Sequence, residues 1–281
     1  MCSSDLAAPG ERGKTLGRAG ALIGVSAVIG PAGAAIVTTI AGATAVFLGL
    51  AALIAVGLLA VLPLLPETLA PRPEGRAAPG AWRRILSNRK LRVALLAIFG
   101  LEAAVGSVTG FIKDGLIQRA LESGRDMEGA LRYAAGASGG LFSVFGLVAI
   151  VIMLSRFAQR VDQRGPFGIS IVGLGSLFAA LALLAVSPTL EVDVVAMLLY
   201  GVGYGLIFPA AAGAVAIASD PSERGRANGA FNLSFDVGIS AGPILGGTLA
   251  TLIVGLTPFS GGLLLVAFAL LLLPAVGREA S

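Results

Sequence analysis

One carboxylate of this chain occupies a position where a charged group is costly. Glu102 lies about ten residues from either end of an apolar stretch at 93–113, which places it near the middle of a bilayer. Acidic residues at that depth by default indicate a proton or substrate site. The same helical face continues through Gly106 and Thr109 to Lys113, eleven residues further on. We expect Glu102 and Lys113 to take part in coupling or substrate binding; the alternative is a protonated Glu102 bonded to a neighbouring helix.

A second intramembrane carboxylate, Asp236, lies in a glycine-rich apolar stretch near the chain's end. Its depth corresponds to the cytoplasmic third of the span that contains it. Two interpretations stay open, a coupling role and a half-buried acid at the junction between two halves of the molecule.

Aromatic side chains recur every four residues within the stretch 194–218. Tyr200, Tyr204 and Phe208 share one helical face, and glycines and a proline surround them (Gly201, Gly203, Gly205 and Pro209). Such a stripe can stack an apolar or cationic substrate, in a helix that the glycines make easier to bend. The alternative is ordinary packing between helices.

The sequence lacks the residues that metal binding, disulfide formation or enzymatic catalysis would require. The chain contains no histidine and one cysteine, Cys2, so the sequence offers no Cys/His zinc site and no internal disulfide. No glycine-rich phosphate loop follows a strand, and there is no Ser/His/Asp set. We expect no enzyme activity, no cofactor and no metal. The basic residues lie between apolar stretches, so we expect no nucleic-acid partner either.

The composition predicts a membrane protein. Hydrophobic residues make up 56% of the chain and charged residues 13%, and the mean hydropathy is +0.90. Residues 19–66 carry no charge; as one helix they would reach roughly 72 Å, against a hydrocarbon core of about 30 Å. We therefore predict two spans there, with a turn near Gly42, and likewise two in 227–277, with a turn near Thr257 and Pro258. With single spans at 93–113, 133–155, 166–187 and 194–218, the total is eight transmembrane helices.

The distribution of cations predicts the orientation. With eight spans both termini lie on one side, and that side carries sixteen Lys and Arg residues against four on the other. The positive-inside rule then places both termini in the cytoplasm of a multi-pass protein, as in a bacterial-type inner membrane.

An internal repeat divides the chain. Glu11-Arg-Gly-Lys-Thr-Leu-Gly17 returns as Glu223-Arg-Gly-Arg-Ala-Asn-Gly229, and Gly30-Pro31 returns as Gly242-Pro243 at the same offset. Between residue 92 and the second copy there are four spans, whereas only ten residues precede the first copy. If the two halves are equivalent, about four helices are missing from the front of the chain. Residues 2–6 match the translated end of a common short-read sequencing adapter, and we expect residues 1–6 to be non-native. The predicted domains are a remnant half at 7–66, a Pro-rich cytoplasmic linker at 67–92 and a six-helix half at 93–281.

The second copy of the repeat resembles a glycine-proline motif of the major facilitator superfamily, best known from its drug–proton antiporters. Small residues at this spacing allow close helix packing, and proline bends the helix. The residues that carry the resemblance are Gly229, Gly238, Gly242, Pro243, Gly246 and Gly247. The first copy keeps Gly17, Gly30 and Pro31 but has Ser26, Ala34 and Ala35 at the other three positions.

A second resemblance lies in the segment after 155. The superfamily's short cytoplasmic loop reads G-x-x-x-D-R-x-G-R-R, and Arg156, Arg160 and Arg164 fit it, whereas Gln159 replaces its aspartate. Positive-inside charge alone would also explain these arginines.

The resemblance implies an all-α membrane protein, a major facilitator-type bundle that here comprises helices five to twelve of twelve. In such proteins helices one, four, seven and ten line the cavity, and 93–113 and 194–218 correspond to the last two. It implies proton-coupled efflux of small apolar or cationic compounds, incomplete in this chain, with the lipid bilayer, a small-molecule substrate and protons as partners and a monomer at full length. The alternatives are a sugar or metabolite importer of the same fold and a non-functional gene fragment.

Overall fold

The computed structural model describes residues 12–64, 81–155, 166–219 and 223–277. Helices account for nearly all of these residues, and no strand occurs within the described ranges, which confirms the all-α prediction. The helices are α1 (Arg12–Leu64), α2 (Ala81–Ser87), α3 (Arg89–Glu122), α4 (Met127–Leu154), α5 (Pro166–Val186), α6 (Leu190–Ala218), α7 (Arg224–Leu252) and α8 (Phe259–Gly277). Most of the linker, the cytoplasmic loop after 155 and residues 1–11 lie outside the described residues.

Helix α1 is broken at the residue where the sequence predicts a turn. Gly42 has φ 79° and ψ 169°, outside the helical region, and its positive φ is accessible to glycine because it lacks a Cβ. The predicted break near Thr257 and Pro258 is also present, because α7 ends at Leu252 and α8 begins at Phe259. The helices are therefore interrupted at both predicted positions.

Helix α3 lies at the centre of the bundle. It contacts each of the five helices that follow it and packs most extensively against α7. Its start is fixed by Asn88, whose side-chain oxygen accepts hydrogen bonds from the backbone N–H of Lys90 at 3.0 Å and of Leu91 at 3.4 Å. The Asn88 Nδ2 group donates to the carbonyl oxygen of Ala218 at 3.1 Å, which ties the start of α3 to the end of α6.

Two predicted boundaries are wrong for the same reason. The helix that contains the span predicted at 93–113 continues to Glu122. Glu191 and Asp193, which precede the span predicted at 194–218, already lie in the first turn of α6. Hydropathy marks the part of a helix that crosses the bilayer. The helix can extend further at either end, where residues have a high helix propensity or where acidic side chains interact favourably with the dipole at the helix N-terminus.

The outer surface of the bundle is apolar. Seven helical segments in the described residues are long and apolar enough to cross a membrane. The first of them, Ile40–Leu62, contains the Gly42 break near its start and has no buried residue. The eighth predicted span is the part of α1 before Gly42, which is helical but is not among these seven. Large apolar side chains exposed on every side are expected where lipid is the solvent.

Candidate functional site

A cavity of about 480 Å³ lies between four helices, and its size suits a single organic molecule. Helices α1, α3, α4 and α6 contribute its walls. Its lining consists of Ala34, Thr38, Val105, Thr109, Lys113, Ala135, Ser138, Gly139, Phe142, Phe145, Tyr200 and Tyr204. Four residues of the sequence-derived site, Thr109, Lys113, Tyr200 and Tyr204, thus face one space.

An aromatic cluster forms one part of the wall. The Phe145 ring meets Tyr200 edge to face with ring centroids 5.0 Å apart, and meets Tyr204 in the same way at 5.3 Å. Tyr204 also stacks on Phe208 at 5.5 Å with nearly parallel rings. Phe208 itself does not line the cavity, so the predicted stripe reaches the cavity through its first two members only, and Phe208 supports Tyr204 from behind.

The glycines of α6 serve close packing. A Cβ on Gly201 would lie 2.7 Å from the Phe145 carbonyl oxygen, and one on Gly203 would lie 2.8 Å from that of Gly173. Both distances are shorter than van der Waals contact, so α6 approaches α4 and α5 as closely as backbones allow. The contacts account for these glycines through packing; the predicted bending of α6 stays untested.

Glu102 lies apart from the cavity lining, in the packed interface between α3 and α7. Its side chain is 1% exposed, and its Oε1 atom has no hydrogen-bond partner among the described residues. A Cβ added to Gly238 of α7 would lie 3.0 Å from the Cβ of Glu102. Glu102 still interacts electrostatically with Tyr200 and Tyr204, which both line the cavity.

The face predicted to run from Glu102 to Lys113 therefore has two environments. A Cβ on Gly106 would collide with the carbonyl oxygen of Ile239, which shows that α7 covers this part of α3. Only Thr109 and Lys113, further along, reach the cavity. The residues lie on one face of α3, as periodicity predicts. They do not share one environment, because α7 covers the part of that face that holds Glu102 and Gly106.

The exposure of Asp236 contradicts one of its two interpretations, and the coupling role stays a prediction. Its side chain is exposed in the described structure, so it is not the half-buried acid that the sequence suggested. It is nevertheless close enough to Glu102 for the two carboxyls to interact electrostatically. The pair lies across the α3–α7 interface.

The glycine-proline motif organises that interface. Cβ atoms on Gly238 and Gly242 would meet the carbonyl oxygens of Phe99 and Ala103 on α3, and one on Gly246 would collide with that of Pro258. Pro243 lies against Gly106 and Gly110. Gly229 has nothing within 4 Å of its Cβ position, and Gly247 has only the Phe111 ring at 3.4 Å.

The other sequence-derived residues are only partly described. Gly30 is exposed with nothing within 4 Å of its Cβ position, and nothing of the Pro31 side chain is described. Arg156, Arg160 and Arg164 lie outside the described residues.

The sequence-based assignment missed the wall contributed by α4. Ala135, Ser138, Gly139, Phe142 and Phe145 all face the cavity. Their spacing of three and four residues follows one helical face, and this periodicity could have identified them.

It also missed an ion pair at one end of the bundle. The guanidinium of Arg119, at the end of α3, binds the carboxylate of Asp193, which is 2% exposed, and donates a hydrogen bond to the Ser187 carbonyl oxygen at 3.4 Å. No group of three or more potential metal ligands occurs in the part of the chain that the structure describes.

A helical bundle with an apolar perimeter and several helices long enough to cross a bilayer is the architecture of a multi-pass membrane protein. The sequence model described as Major Facilitator Superfamily matches residues 2–243 and 127–280. The chain belongs to the major facilitator superfamily, and it is a multi-pass membrane protein.

Curated relatives point to the same class. Uncharacterized MFS-type transporters of Burkholderia mallei (strain SAVP1) and Burkholderia pseudomallei (strain K96243) are each 32% identical over 105 residues. The match covers 37% of this chain and 26% of each relative, so the chain spans about a quarter of the length of the curated relatives it matches.

Proposed function

We propose that this protein works as a secondary active transporter that exports small, mostly apolar organic compounds in exchange for protons. The cavity between α1, α3, α4 and α6 binds the compound, and Glu102 carries the proton. The observation that carries the proposal is Glu102 itself, a buried carboxyl with an unpartnered oxygen that interacts electrostatically with two tyrosines of the cavity lining. Keeping such a group buried is costly, which supports a functional role.

The lining supports export of apolar compounds over import of a sugar. Sugar sites need many side chains that both donate and accept hydrogen bonds, whereas the described lining contains no Asn, Gln or Arg. Phe142 and Phe145 supply apolar surface, together with alanine and valine side chains. We retain the sugar or metabolite importer as the alternative.

The proposal includes a location and an orientation. A bacterial-type inner membrane with both termini in the cytoplasm is consistent with the sixteen-to-four asymmetry of cations. The protein acts as a monomer in this scheme, since the cavity is formed within one chain.

Substitution of Glu102 tests the proton role. Glu102→Gln keeps the size and hydrogen-bonding capacity of the side chain but removes its titration, so transport driven by a pH gradient should fall to the level of protein-free vesicles. Asp236→Asn should do less, because Asp236 is exposed. The measurement is transport of a naphthalene-based fluorescent compound into proteoliposomes under an imposed pH gradient.

A matched control is an acid far from the site. Glu128 is exposed and pairs with Arg132 on the same helix, so Glu128→Gln should transport like the unsubstituted protein. Transport by Glu102→Gln with unchanged pH dependence would show that the carboxyl is structural and would remove the proton role from the proposal.

A further inference from the structure

The cavity carries a positive charge, which disfavours the cationic substrate that the aromatic stripe suggests. Lys113 is the only formally charged side chain among the described lining residues, and the lining contains no carboxylate. Glu102, about 16 Å earlier along the α3 axis at 1.5 Å per residue, is covered by α7 and does not reach the cavity.

The Lys113 ammonium is available for a ligand. The side chain is exposed, and the described part of the chain gives it no ion pair or hydrogen bond. The three other cations near this end of the bundle are already engaged. Arg119 binds Asp193, Arg132 pairs with Glu128 at 2.5 Å, and Arg125 lies over the Tyr133 ring with 4.6 Å to its centroid. Lys113 is thus the cation that a substrate in the cavity would meet.

Hydrogen-bond donors in the cavity also favour an acceptor on the ligand. The hydroxyl groups of Tyr200 and Tyr204 have no partner within the described ranges and belong to the lining. The Thr38, Thr109 and Ser138 hydroxyls donate to carbonyl oxygens of their own helices, at 2.7, 2.8 and 3.2 Å. The protons left free are those of one ammonium and two phenols.

Apolar and aromatic surface completes the site. Phe142 and Phe145 line it beside the two tyrosines, and the volume of about 480 Å³ admits a ring system with a short substituent. We propose that the cavity selects amphipathic organic anions, such as aromatic carboxylates, with the acidic group at Lys113 and the ring against the Phe145 cluster. The inference rests on the proposed function, because it takes this cavity as the transport site.

Three probes that share a naphthalene ring test the sign of the charge. Naphthoate is an anion at neutral pH, naphthylmethylamine a cation and naphthylmethanol neutral. The naphthoate carboxylate can accept a charge-assisted hydrogen bond from the Lys113 ammonium, whereas the ammonium group of the amine is repelled by it. Naphthoate should therefore bind about tenfold more tightly than the amine. Binding is measured by isothermal titration calorimetry on the purified protein in nanodiscs.

Substitutions at Lys113 assign the preference to one side chain. Lys113→Met should reduce the affinity for naphthoate about tenfold and leave naphthylmethanol unchanged, and Lys113→Glu should make the amine the preferred probe. Lys90 provides the matched control: it is exposed at the other end of α3, outside the cavity, and Lys90→Met should change none of the three affinities.

The outcomes separate this inference from the proposed function. Ala135→Trp fills the cavity and should abolish binding of all three probes. Suppose that Ala135→Trp abolishes binding, but that the unsubstituted protein binds naphthoate and the amine equally well or Lys113→Met keeps the affinity for naphthoate. The cavity is then the binding site, and the anion preference is wrong. If the probes bind regardless of Ala135→Trp, or none binds the unsubstituted protein, both the cavity assignment and the preference fail.

Discussion

At the scale of single residues, burial separates side chains that the sequence treats alike. Glu102 and Asp236 are both carboxylates within apolar helices, yet one is 1% exposed and the other lies on the surface of the described bundle. The free-energy cost of a carboxyl group depends on its solvent and its partners. The two residues therefore support different roles, although the sequence offered a coupling role for both.

The ion pair at the end of α3 leads to a prediction about stability. Arg119→Met leaves Asp193 buried without its cation, which should lower the free energy of unfolding by about 2 kcal/mol, less than for a fully buried pair because Arg119 is 27% exposed. The measurement is thermal unfolding of the detergent-solubilised protein, followed by circular dichroism.

A second arginine serves as the comparison. Arg132 pairs with Glu128 within α4, and both side chains are about 70% exposed, so Arg132→Met should cost under about 0.5 kcal/mol. Equal losses from the two substitutions would contradict the structural role assigned to the Arg119–Asp193 pair.

At the scale of helices, the glycine-proline motif acts through contact between α7 and α3. Gly242→Ala introduces a methyl group where the Ala103 carbonyl oxygen already lies, so the helices must separate. We expect a loss of about 2 kcal/mol in the free energy of unfolding, as for other overpacked sites. Chemical denaturation in mixed micelles would measure this loss.

The same motif supplies its own control. Gly229 has open space around its Cβ position and lies in the first turns of α7, so Gly229→Ala should be neutral or stabilise the helix by up to about 1 kcal/mol. A destabilising Gly229→Ala, or a neutral Gly242→Ala, would show that helix contact does not explain the motif.

Helix positions were largely predictable from the sequence, and helix contacts only in part. Uncharged stretches and glycines located the breaks at Gly42 and after Leu252, because crossing a bilayer fixes a minimum apolar length. The α4 wall of the cavity and the covering of Glu102 by α7 were missed, because they depend on which helices become neighbours. The charged ends of α3 and α6 were misassigned, because hydropathy does not report where a helix stops.

At the scale of the whole molecule, side-chain contacts group the helix ends into two sets. The start of α3 lies with the end of α6 through Asn88, and Arg89 lies over the ring of Phe167 at the start of α5 with 5.9 Å to its centroid. At the opposite set of ends, Arg119 joins the end of α3 to Ser187, between α5 and α6, and to Asp193 in the first turn of α6. The grouping is the one expected if each of these helices crosses the membrane once, and the cation-rich connections fall in the first set.

The orientation of these two sets can be measured with single cysteines. In a Cys2→Ser background, Ser87→Cys and Ser123→Cys place exposed thiols before α3 and just after it. Because the Ser87 end carries the excess of cations, a membrane-impermeant maleimide should label Ser123→Cys in intact cells and Ser87→Cys only after permeabilisation. The reverse labelling pattern would show that the orientation is the opposite one, and the substrate would then be released on the opposite side of the membrane. Labelling of both thiols from one side would mean that α3 does not cross the bilayer, which would contradict the eight-span topology.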